Sequence, residues 1–357
     1  MAVIERETAE RVTLEALQDL EADLEQVGFK PFWGDWLARD PTMPAQPRTQ
    51  VVPHVWRAAD YLPRLRQAGT LVDTTLAERR SLMLMNPGLD GKPFATQTLM
   101  AAVQLVLPGE IAACHRHSAA AFRFILQGEG AYTAVDGEKF YLRPGDFVIT
   151  PNWTWHDHGN ESGEAVVWMD GLDIPLVNSL NVSFYEALGE PSQPITRPVG
   201  DGQHRYGAGL TPTWQRHLAP YSPLFHYSWE RAYAALRAIA SADQGSPFDG
   251  VLLEYTNPCS GGSALPTMAT RLQMLPPGVH TLAHRHTAST VYLAARGRGT
   301  TIVDGMALDW SEHDLFVVPT WAWHEHLNDA AEEAILFSFT DEPTLRALAL
   351  YREEEQR

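Results

Sequence analysis

The stretch that decides the fold is FVITPNWTWHDHGN, residues 147–160. A second version, FVVPTWAWHEHLN, occupies residues 316–328. A His-x-His pair precedes each of them, His115 and His117 in the first copy and His284 and His286 in the second. The first histidine of the pair lies 41 positions before the Trp-His of its own copy in one case and 40 in the other. An ordered match of this length predicts that the chain contains one domain twice.

Short segments rich in β-branched and aromatic residues surround these motifs. Turn signals such as Pro-Gly, Gly-Glu-Gly and Asp-Gly separate the segments. In the first copy they are Met100–Leu107, Phe122–Leu126, Ala131–Val135, Phe147–Thr150 and Ala165–Met169. We therefore predict a mainly β protein in which each copy is a closed barrel or a double-sheet jelly roll.

The ends of the chain and the connection between the copies have a different pattern. Leucines at helical spacing predict an amphipathic helix over Ala9–Val27, and further helices are expected over Ser228–Ile239 and Leu345–Glu355. Pro191–Pro223 is rich in proline, glycine and arginine and is interpreted as a linker or covering loop. The predicted domains are an N-terminal helical arm (1–75), a first barrel (76–190), a linker with a helix (191–245), a second barrel (246–340) and a C-terminal helix (341–357).

Composition excludes several classes of partner. The 357 residues include 27 Lys plus Arg and 44 Asp plus Glu, a formal charge of −17, so the chain repels polyphosphate and anionic lipid. No apolar run is long enough to cross a bilayer, and no signal-peptide core is present near the N-terminus. With only two cysteines, a disulfide framework is excluded, and we expect a cytoplasmic protein.

The histidines carry the chemistry of this sequence. A His-x-His pair on one strand directs both rings to the same face, and neutral imidazole is a common ligand of first-row divalent metals. His156 or His158 can complete a set of three in the first copy, and His324 or His326 in the second. The alternative is that these histidines are solvent-facing residues preserved from a duplication, and it has more weight for the second copy.

The spacing of these residues resembles the two cupin motifs. The matching positions are Gly109, His115, His117, Gly145, Pro151, His156 and Asn160. The usual cupin glutamate is absent, because residues 118–122 contain no carboxylate, and this favours ligation by three histidines. With the segments RRSLMLMNPGL (79–89) and DGLDIPLVN (170–178), the chain is similar to the gentisate 1,2-dioxygenase group, which includes salicylate 1,2-dioxygenase and 1-hydroxy-2-naphthoate dioxygenase.

The resemblance implies a bicupin, with two double-stranded β-helix (jelly-roll) barrels and helices at both ends. It also implies one Fe(II) per chain on His115, His117 and His156, an extradiol-type cleavage of a 2-hydroxybenzoate by O2, and a homo-oligomer, typically a tetramer. The reaction would convert gentisate to maleylpyruvate by breaking the ring between its carboxyl-bearing and hydroxyl-bearing carbons.

Residues around the metal are assigned roles in the first copy. Arg123 lies six residues after His117, so a period of two places it on the histidine face, where it can pair with the substrate carboxylate. The alternative is a structural ion pair with Asp170, which otherwise orients Arg123 or a histidine. His158 is interpreted as a base or hydrogen-bond donor beside the metal, or as a ligand in place of His156.

Three further positions are expected to line the substrate pocket. Gln104 precedes His115 by the same interval as Gln273 precedes His284, which indicates a hydrogen bond to substrate or ligand, or else a strand-edge amide. Arg79 is a second candidate anchor for the carboxylate, with an ordinary surface arginine as the alternative. Met100 and Ala102 replace the Tyr and Gly that are typical of gentisate enzymes, which leaves salicylate, a 5-substituted salicylate or 1-hydroxy-2-naphthoate open as the substrate.

The second copy retains a candidate metal site at His284, His286 and His324, but Tyr292 stands where the first copy has Arg123. Without that cation we expect metal binding with little or no ring cleavage. Two other functions remain open for the whole chain: a non-catalytic bicupin that binds a small ligand, and a Mn or Zn isomerase or decarboxylase.

Overall fold

The computed structural model describes residues 14–33, 42–73, 76–77 and 79–356. Contacts divide the chain into two units, Met1–Arg48 and Thr49–Arg357. In the first unit, the described part contains helix α1, Leu14–Gln26. It accounts for most of the helix predicted over Ala9–Val27, and the remaining N-terminal part of that prediction lies outside the described residues.

The second unit contains the strands. Runs of apolar residues separated by turns at glycine produce short strands. The central strands are largely buried, whereas several edge strands are exposed. In chain order they are β1 (His54–Trp56), β2 (Arg80–Met83), β3 (Met100–Val106), β4 (Ile111–His117), β5 (Ala121–Gln127), β6 (Ala131–Val135), β7 (Glu138–Tyr141), β8 (Phe147–Thr150), β9 (His156–Asn160), β10 (Val166–Leu172), β11 (Tyr185–Ala187), β12 (His226–Tyr227), β13 (Val251–Glu254), β14 (Ala269–Leu275), β15 (His284–His286), β16 (Thr290–Arg296), β17 (Arg298–Val303), β18 (Met306–Ser311), β19 (Leu315–Val318), β20 (His324–Leu327), β21 (Ala334–Thr340) and β22 (Glu353–Glu355).

Each barrel consists of a six-stranded and a five-stranded antiparallel sheet. The first barrel has the orders β12-β8-β5-β10-β3-β2 and β11-β4-β9-β6-β7. The second has the orders β1-β19-β16-β21-β14-β13 and β18-β17-β20-β15-β22. The mainly β fold with two jelly-roll barrels is therefore confirmed, and the two sets of strands follow the same order.

Five short helices accompany these sheets in the described part of the second unit. They are α2 (Ala58–Leu71), α3 (Ile174–Ser179), α4 (Asp201–Tyr206), α5 (Trp229–Ala240) and α6 (Glu342–Ala347). The helix expected over Ser228–Ile239 is present as α5. Among the described residues, no helix has the length and apolar character needed to traverse a bilayer.

The six-stranded sheets of the two barrels share one apolar core. Phe122 and Phe124 of β5 pack on Phe337 of β21, with ring centroids 5.6 and 4.4 Å apart. The other face of each six-stranded sheet therefore points into its own barrel, because successive side chains of a strand alternate between faces.

Two edge strands come from outside the predicted limits of the barrels, so those limits are wrong at these two places. β1 comes from the segment assigned to the N-terminal arm, yet it pairs with β19 of the second barrel. β12 comes from the linker and pairs with β8 of the first barrel. These short strands satisfy backbone groups that would otherwise be unpaired at a sheet edge.

The closing helix predicted over Leu345–Glu355 is wrong beyond Ala347, which is most of its predicted length. Helix α6 ends at Ala347, and Ala349 has a positive φ of 57° that stops the helical path. The acidic run that follows forms β22, which pairs with β15, so that Glu355 lies opposite His284 and Glu353 opposite His286. The chain end therefore contributes to the wall of the second barrel.

Candidate metal and substrate site

Three histidines of the first barrel meet between two neighbouring strands. His115 and His117 lie on β4, and His156 on β9 is directly paired with His115. The ring centroid of His156 lies 4.4 Å from that of His115 and 4.8 Å from that of His117. One ring nitrogen of each lies within 4.8 Å of those of the other two, so this group could hold a metal ion.

Hydrogen bonds to the backbone fix how these imidazoles point. The Nδ1 atoms lie 2.7 Å from the Ala113 oxygen in His115, 2.7 Å from the Ala119 oxygen in His117 and 2.9 Å from the Thr154 oxygen in His156. Since a carbonyl only accepts, each Nδ1 carries the proton and each Nε2 keeps its lone pair. His156 Nε2 is buried without a hydrogen-bond partner, which fits a metal ligand.

The surroundings keep these rings neutral. Burial, together with the charge of Arg79, lowers the pKa of His115 to about 3. Burial lowers the pKa of His117 to about 4 and holds that of His156 well below its ordinary value. Neutral imidazole is the form that binds metal, so the three ligands require no proton release near neutral pH.

Arg79 lies at the mouth of this group. Its Nη2 donates to His115 Nε2 at 2.7 Å. That lone pair is the one a metal ion would use, so this hydrogen bond and metal ligation by His115 exclude each other. Arg79 therefore lies beside the three-histidine group, and its role as an anchor for a substrate carboxylate stays a prediction.

His158 lies behind His156 and outside the group of three. Its Nδ1 is 2.8 Å from Thr133 Oγ1, and its Nε2 is buried without a hydrogen-bond partner. The His156 and His158 ring centroids are 5.6 Å apart. Burial and the charge of Arg123 hold the pKa of His158 well below its ordinary value, so this ring is also neutral.

Arg123 and Asp170 form a buried ion pair inside the first barrel. Arg123 Nε lies 3.2 Å from Asp170 Oδ1, and Arg123 Nη1 lies 3.3 Å from Thr150 Oγ1. Trp168 Nε1 donates to the other oxygen of Asp170 at 3.1 Å. Burial lowers the pKa of Arg123 to about 10, so it remains a cation at neutral pH.

The reason given for placing Arg123 on the histidine face is wrong. His117 ends β4 of the five-stranded sheet, whereas Arg123 belongs to β5 of the six-stranded sheet. Side chains alternate between faces only along one strand, so this alternation cannot relate residues of two different strands. Arg123 faces inward because it pairs directly with Asp170 on β10, whose neighbour on the other side is Ala102. The inward-facing row of Arg123, Asp170 and Ala102 is thus set by the pairing register of β5, β10 and β3.

The predicted substrate-side positions of β3 lie on this same face. Met100, Ala102 and Gln104 are opposite Leu172, Asp170 and Trp168 of β10, respectively. Ala102 and Gln104 are buried, with 2% and 3% exposure, and Met100 is half-buried. These three side chains therefore adjoin the Arg123–Asp170 pair, and a hydrogen bond from Gln104 to a substrate stays a prediction.

Two features near the site were missed at the sequence level. Tyr185 of β11 stacks on His115, with ring centroids 5.3 Å apart, and gave no signal because β11 was not predicted. The second feature is a cluster around Arg116. The rings of Trp153 and Trp155 both stack on the Arg116 guanidinium, each with its centroid 4.5 Å from the guanidinium carbon.

The second barrel repeats the three-histidine arrangement. His284, His286 and His324 form a buried group of the same kind, with the rings of His284 and His324 4.3 Å apart. The inward row differs, because Tyr292 and Ser338 are directly paired where the first barrel has Arg123 and Asp170.

Comparisons with known proteins agree with this geometry. The profile of the cupin domain matches residues 102–174 and 271–340. The chain is 42% identical to gentisate 1,2 dioxygenase 1 of Aquipseudomonas alcaligenes, over 89% of this chain and 91% of the relative. It is also 42% identical to 5-aminosalicylate 1,2-dioxygenase of Comamonas sp, over 95% of this chain and 90% of the relative.

A solved structure extends the agreement to three dimensions. Salicylate 1,2-dioxygenase from Pseudoaminobacter salicylatoxidans, in an adduct with gentisate, superposes with a TM-score of 0.87 at 31% identity, covering 98% of this chain and 96% of that one. The family resemblance drawn from the motifs is therefore confirmed: the chain is a bicupin that belongs to the gentisate and salicylate 1,2-dioxygenase family.

Proposed function

We propose that this protein is an Fe(II)-dependent ring-cleaving dioxygenase of the extradiol type that inserts both atoms of O2 into a 2-hydroxybenzoate. Cleavage occurs between the carboxyl-bearing and hydroxyl-bearing carbons, and gentisate is the assigned substrate, with maleylpyruvate as the product. The observation that carries the proposal is the three-histidine group of His115, His117 and His156 in one barrel with the buried cation Arg123.

The donor set of the first barrel fits iron in the ferrous state. Three neutral imidazoles add no negative charge, so they favour a divalent ion and leave coordination positions for other ligands. When bound, the ion supplies the one-electron chemistry that allows an aromatic ring to react with O2, and the protein positions the reactants.

Arg123 orients the substrate in this proposal. A guanidinium held by Asp170 and Thr150 cannot swing away, so it presents its remaining N–H groups in a fixed direction. A carboxylate is the anion that best matches this planar donor. Together with Arg79, it would fix the ring of the substrate before reaction, and such orientation lowers the barrier.

His158 acts as a neutral hydrogen-bonding partner in this proposal. Its lowered pKa disfavours storage of a proton as imidazolium, whereas its free Nε2 can share the proton of the ring 2-hydroxyl. Thr133 holds the ring through Nδ1. His158 thus holds the 2-hydroxyl in place rather than binding the metal.

Met100 and Ala102 favour a second substrate candidate. They adjoin the Arg123–Asp170 pair and replace the Tyr and Gly of typical gentisate enzymes, so the pocket wall near the ring differs. A relative with 42% identity is named for 5-aminosalicylate. Salicylate and its 5-substituted derivatives, and 1-hydroxy-2-naphthoate, are therefore the alternatives to gentisate.

Oxygen uptake by the iron-loaded protein tests the function. The panel is gentisate, salicylate, 5-aminosalicylate and 1-hydroxy-2-naphthoate, and we expect one O2 consumed per ring opened with at least one of them. His115→Ala should abolish uptake and lower the iron content, whereas the exposed-site control His204→Ala should do neither. Absence of uptake with every acid would favour a non-catalytic ligand-binding bicupin, and turnover preserved with zinc would contradict the oxygenase.

A further inference from the structure

The segment that connects the two barrels, residues 191–223, has a charge opposite to that of the chain. It contains three arginines, Arg197, Arg205 and Arg216, and a single acidic residue, Asp201. Three cations against one anion give this segment a formal charge of +2, whereas the whole chain has a formal charge of −17. Neither the three-histidine group nor the proposed reaction uses these cations.

The three arginines lie around one cavity of about 250 Å³. Aromatic side chains form another part of its wall, and two of them, Tyr206 and Phe225, are buried. A cavity that combines aromatic walls with a few charged groups is typical of a site for a small organic molecule. The arginines and aromatic residues of the wall are Arg197, Arg205, Arg216, Tyr206, Tyr221 and Phe225.

The two carboxylates of the cavity wall already have partners in the protein. Asp201 Oδ2 accepts from Arg205 Nε at 2.8 Å, and Arg205 Nη1 also donates to Gln215 Oε1 at 3.3 Å. Asp136 Oδ1 accepts from the Trp155 backbone N–H at 3.0 Å. Asp201 therefore neutralises Arg205, and neither carboxylate forms an ion pair with the other two arginines of the wall.

Arg197 and Arg216 are the cations that remain for a ligand. Both are exposed, and within the part of the chain that the structure describes neither guanidinium has a hydrogen-bond acceptor or an ion-pair partner. Their backbone is held in place, because the Arg197 N–H donates to Gly137 O at 3.0 Å and His217 Nε2 donates to Tyr221 O at 2.7 Å. A guanidinium donates two parallel hydrogen bonds to a carboxylate, so this pair of cations suits that anion.

The cavity adjoins the strand that carries a candidate metal ligand. Asp136 of its wall also donates its backbone N–H to Trp155 O at 2.9 Å, and Trp155 directly precedes His156. Gln193 of the connecting segment donates to the same Trp155 oxygen at 3.1 Å and accepts from the Gly137 N–H at 2.7 Å. The lining of the cavity includes no member of either three-histidine group, so this site is separate from them.

We propose that this cavity is a second binding site of the chain, and that its ligand is a small aromatic carboxylate. Arg197 and Arg216 bind the carboxylate group. Tyr206, Tyr221 and Phe225 pack against the ring, since aromatic rings attract one another in offset or edge-to-face contacts. The site holds its ligand without cleaving it, and its existence does not depend on the proposed ring cleavage.

Benzoate binding to the metal-free full-length protein tests the proposal, because benzoate has the ring and the carboxylate but no 2-hydroxyl. The measurement is made by calorimetry on Arg123→Met with Asp170→Asn, which removes the carboxylate partner proposed for the first barrel. We expect one benzoate per chain in this background. Adding Arg197→Gln with Arg216→Gln should weaken binding about 10–100-fold, the contribution of charge-assisted hydrogen bonds.

The matched control is Arg143→Gln with Arg231→Gln, which removes the same charge from two exposed positions outside the cavity wall and should leave benzoate binding unchanged. Benzamide, an uncharged analogue, should bind at least about tenfold more weakly than benzoate, and so should inorganic phosphate, which has no ring. Circular dichroism checks that each variant folds, and Arg216→Gln alone keeps the test usable if the combined variant does not.

Three results would overturn the proposal. They are no benzoate bound in the background without Arg123, an equal loss of affinity in the matched control, and phosphate bound as tightly as benzoate. Because the background lacks the cation of the first barrel and no metal is present, failure of this site leaves the test of ring cleavage by oxygen uptake unaffected.

Discussion

Arg123 combines a positive charge with almost complete burial, since it is 2% exposed and its partner Asp170 is 5% exposed. Burying both charges is costly, and their attraction offsets that cost only with good geometry and further hydrogen bonds. Trp168 and Thr150 provide such contacts. A cation kept in this way is better explained by an anionic ligand in the barrel than by a gain in stability.

Variants of the Arg123–Asp170 ion pair distinguish a role in stability from a role in binding the substrate. Arg123→Met alone leaves the Asp170 charge buried and unpaired, and we expect a loss of about 3–5 kcal/mol in the free energy of unfolding. The double variant Arg123→Met with Asp170→Asn should recover most of this stability and retain iron. Its KM for the hydroxybenzoate should still rise about 10–100-fold, the value of a charge-assisted hydrogen bond. A wild-type KM in the double variant would leave Arg123 as no more than the partner of Asp170.

Replacement of Arg79 is expected to raise the affinity of the first barrel for a metal ion and to weaken substrate binding. Its hydrogen bond to His115 Nε2 must break before that nitrogen can bind a metal. Arg79→Met should therefore bind metal in the first barrel up to about tenfold more tightly, since a hydrogen bond contributes about 1 kcal/mol. The KM for the hydroxybenzoate should rise in the same variant, because one anchor of the carboxylate is lost. Metal titration in the absence of substrate measures the first effect, and weaker metal binding would contradict it.

At the level of elements, one arginine joins the strands that carry the ligands. Arg116 lies between His115 and His117 on β4, and its guanidinium is sandwiched by Trp153 and Trp155, which precede β9. It also donates to Glu186 of β11 at 2.6 Å. Stacking of a guanidinium on aromatic rings contributes about 0.5–2 kcal/mol for each contact. The spacing of β4 and β9, and hence of the three imidazoles, is held from outside the barrel.

The second barrel offers a matched control for this element. Arg285 lies 4.5 and 4.7 Å from the ring centroids of Trp321 and Trp323 and donates to Glu354 of β22. Arg116→Met should weaken metal binding to the first triad about tenfold, and Arg285→Met should act on the second triad only. Metal titrations of His324→Ala and His156→Ala backgrounds separate the two sites. An equal effect of either variant on both sites would show a general loss of stability instead.

Comparison of the predicted and observed strands shows which parts of the site could be predicted from the sequence. The three-histidine groups were predictable, because strand periodicity and the internal repeat both constrain them. The inward direction of Arg123 was predicted through an argument that fails across a sheet boundary, since pairing register cannot be read from one strand alone. β11 and β22 were missed because they are short edge strands without a hydrophobic pattern.

At the level of the whole molecule, the repeat produces reciprocal contacts between the barrels. Asp173, after β10, accepts from Thr267 Oγ1 of the second copy at 2.6 Å. Asp341, at the matching place after β21, accepts from Thr98 Oγ1 of the first copy at 2.5 Å. Each carboxylate also accepts a backbone N–H, from Ala120 and Ser289 respectively. The two barrels are therefore joined by a symmetric pair of partly buried hydrogen bonds.

These carboxyls give the molecule a pH dependence of known sign. Burial raises the pKa of Asp173 and that of Asp341 to about 6 each. An unfolded aspartate has a pKa of about 3.9, so the folded state holds more protons than the unfolded state between about pH 4 and pH 6. The free energy of unfolding should therefore fall as the pH rises through this window, by up to about 3 kcal/mol for each carboxyl.

Asparagine at both positions tests this dependence. Asp173→Asn with Asp341→Asn keeps an acceptor oxygen for the backbone N–H but does not titrate, so the stability of the wild type relative to this variant should decrease from pH 4 to pH 6 and then level off. Urea unfolding of both proteins at each pH measures the difference, and the exposed-site change Asp90→Asn serves as the control. A difference that stays constant over the window would mean that both carboxyls titrate at their ordinary pKa, and that the contact between the barrels does not depend on a proton.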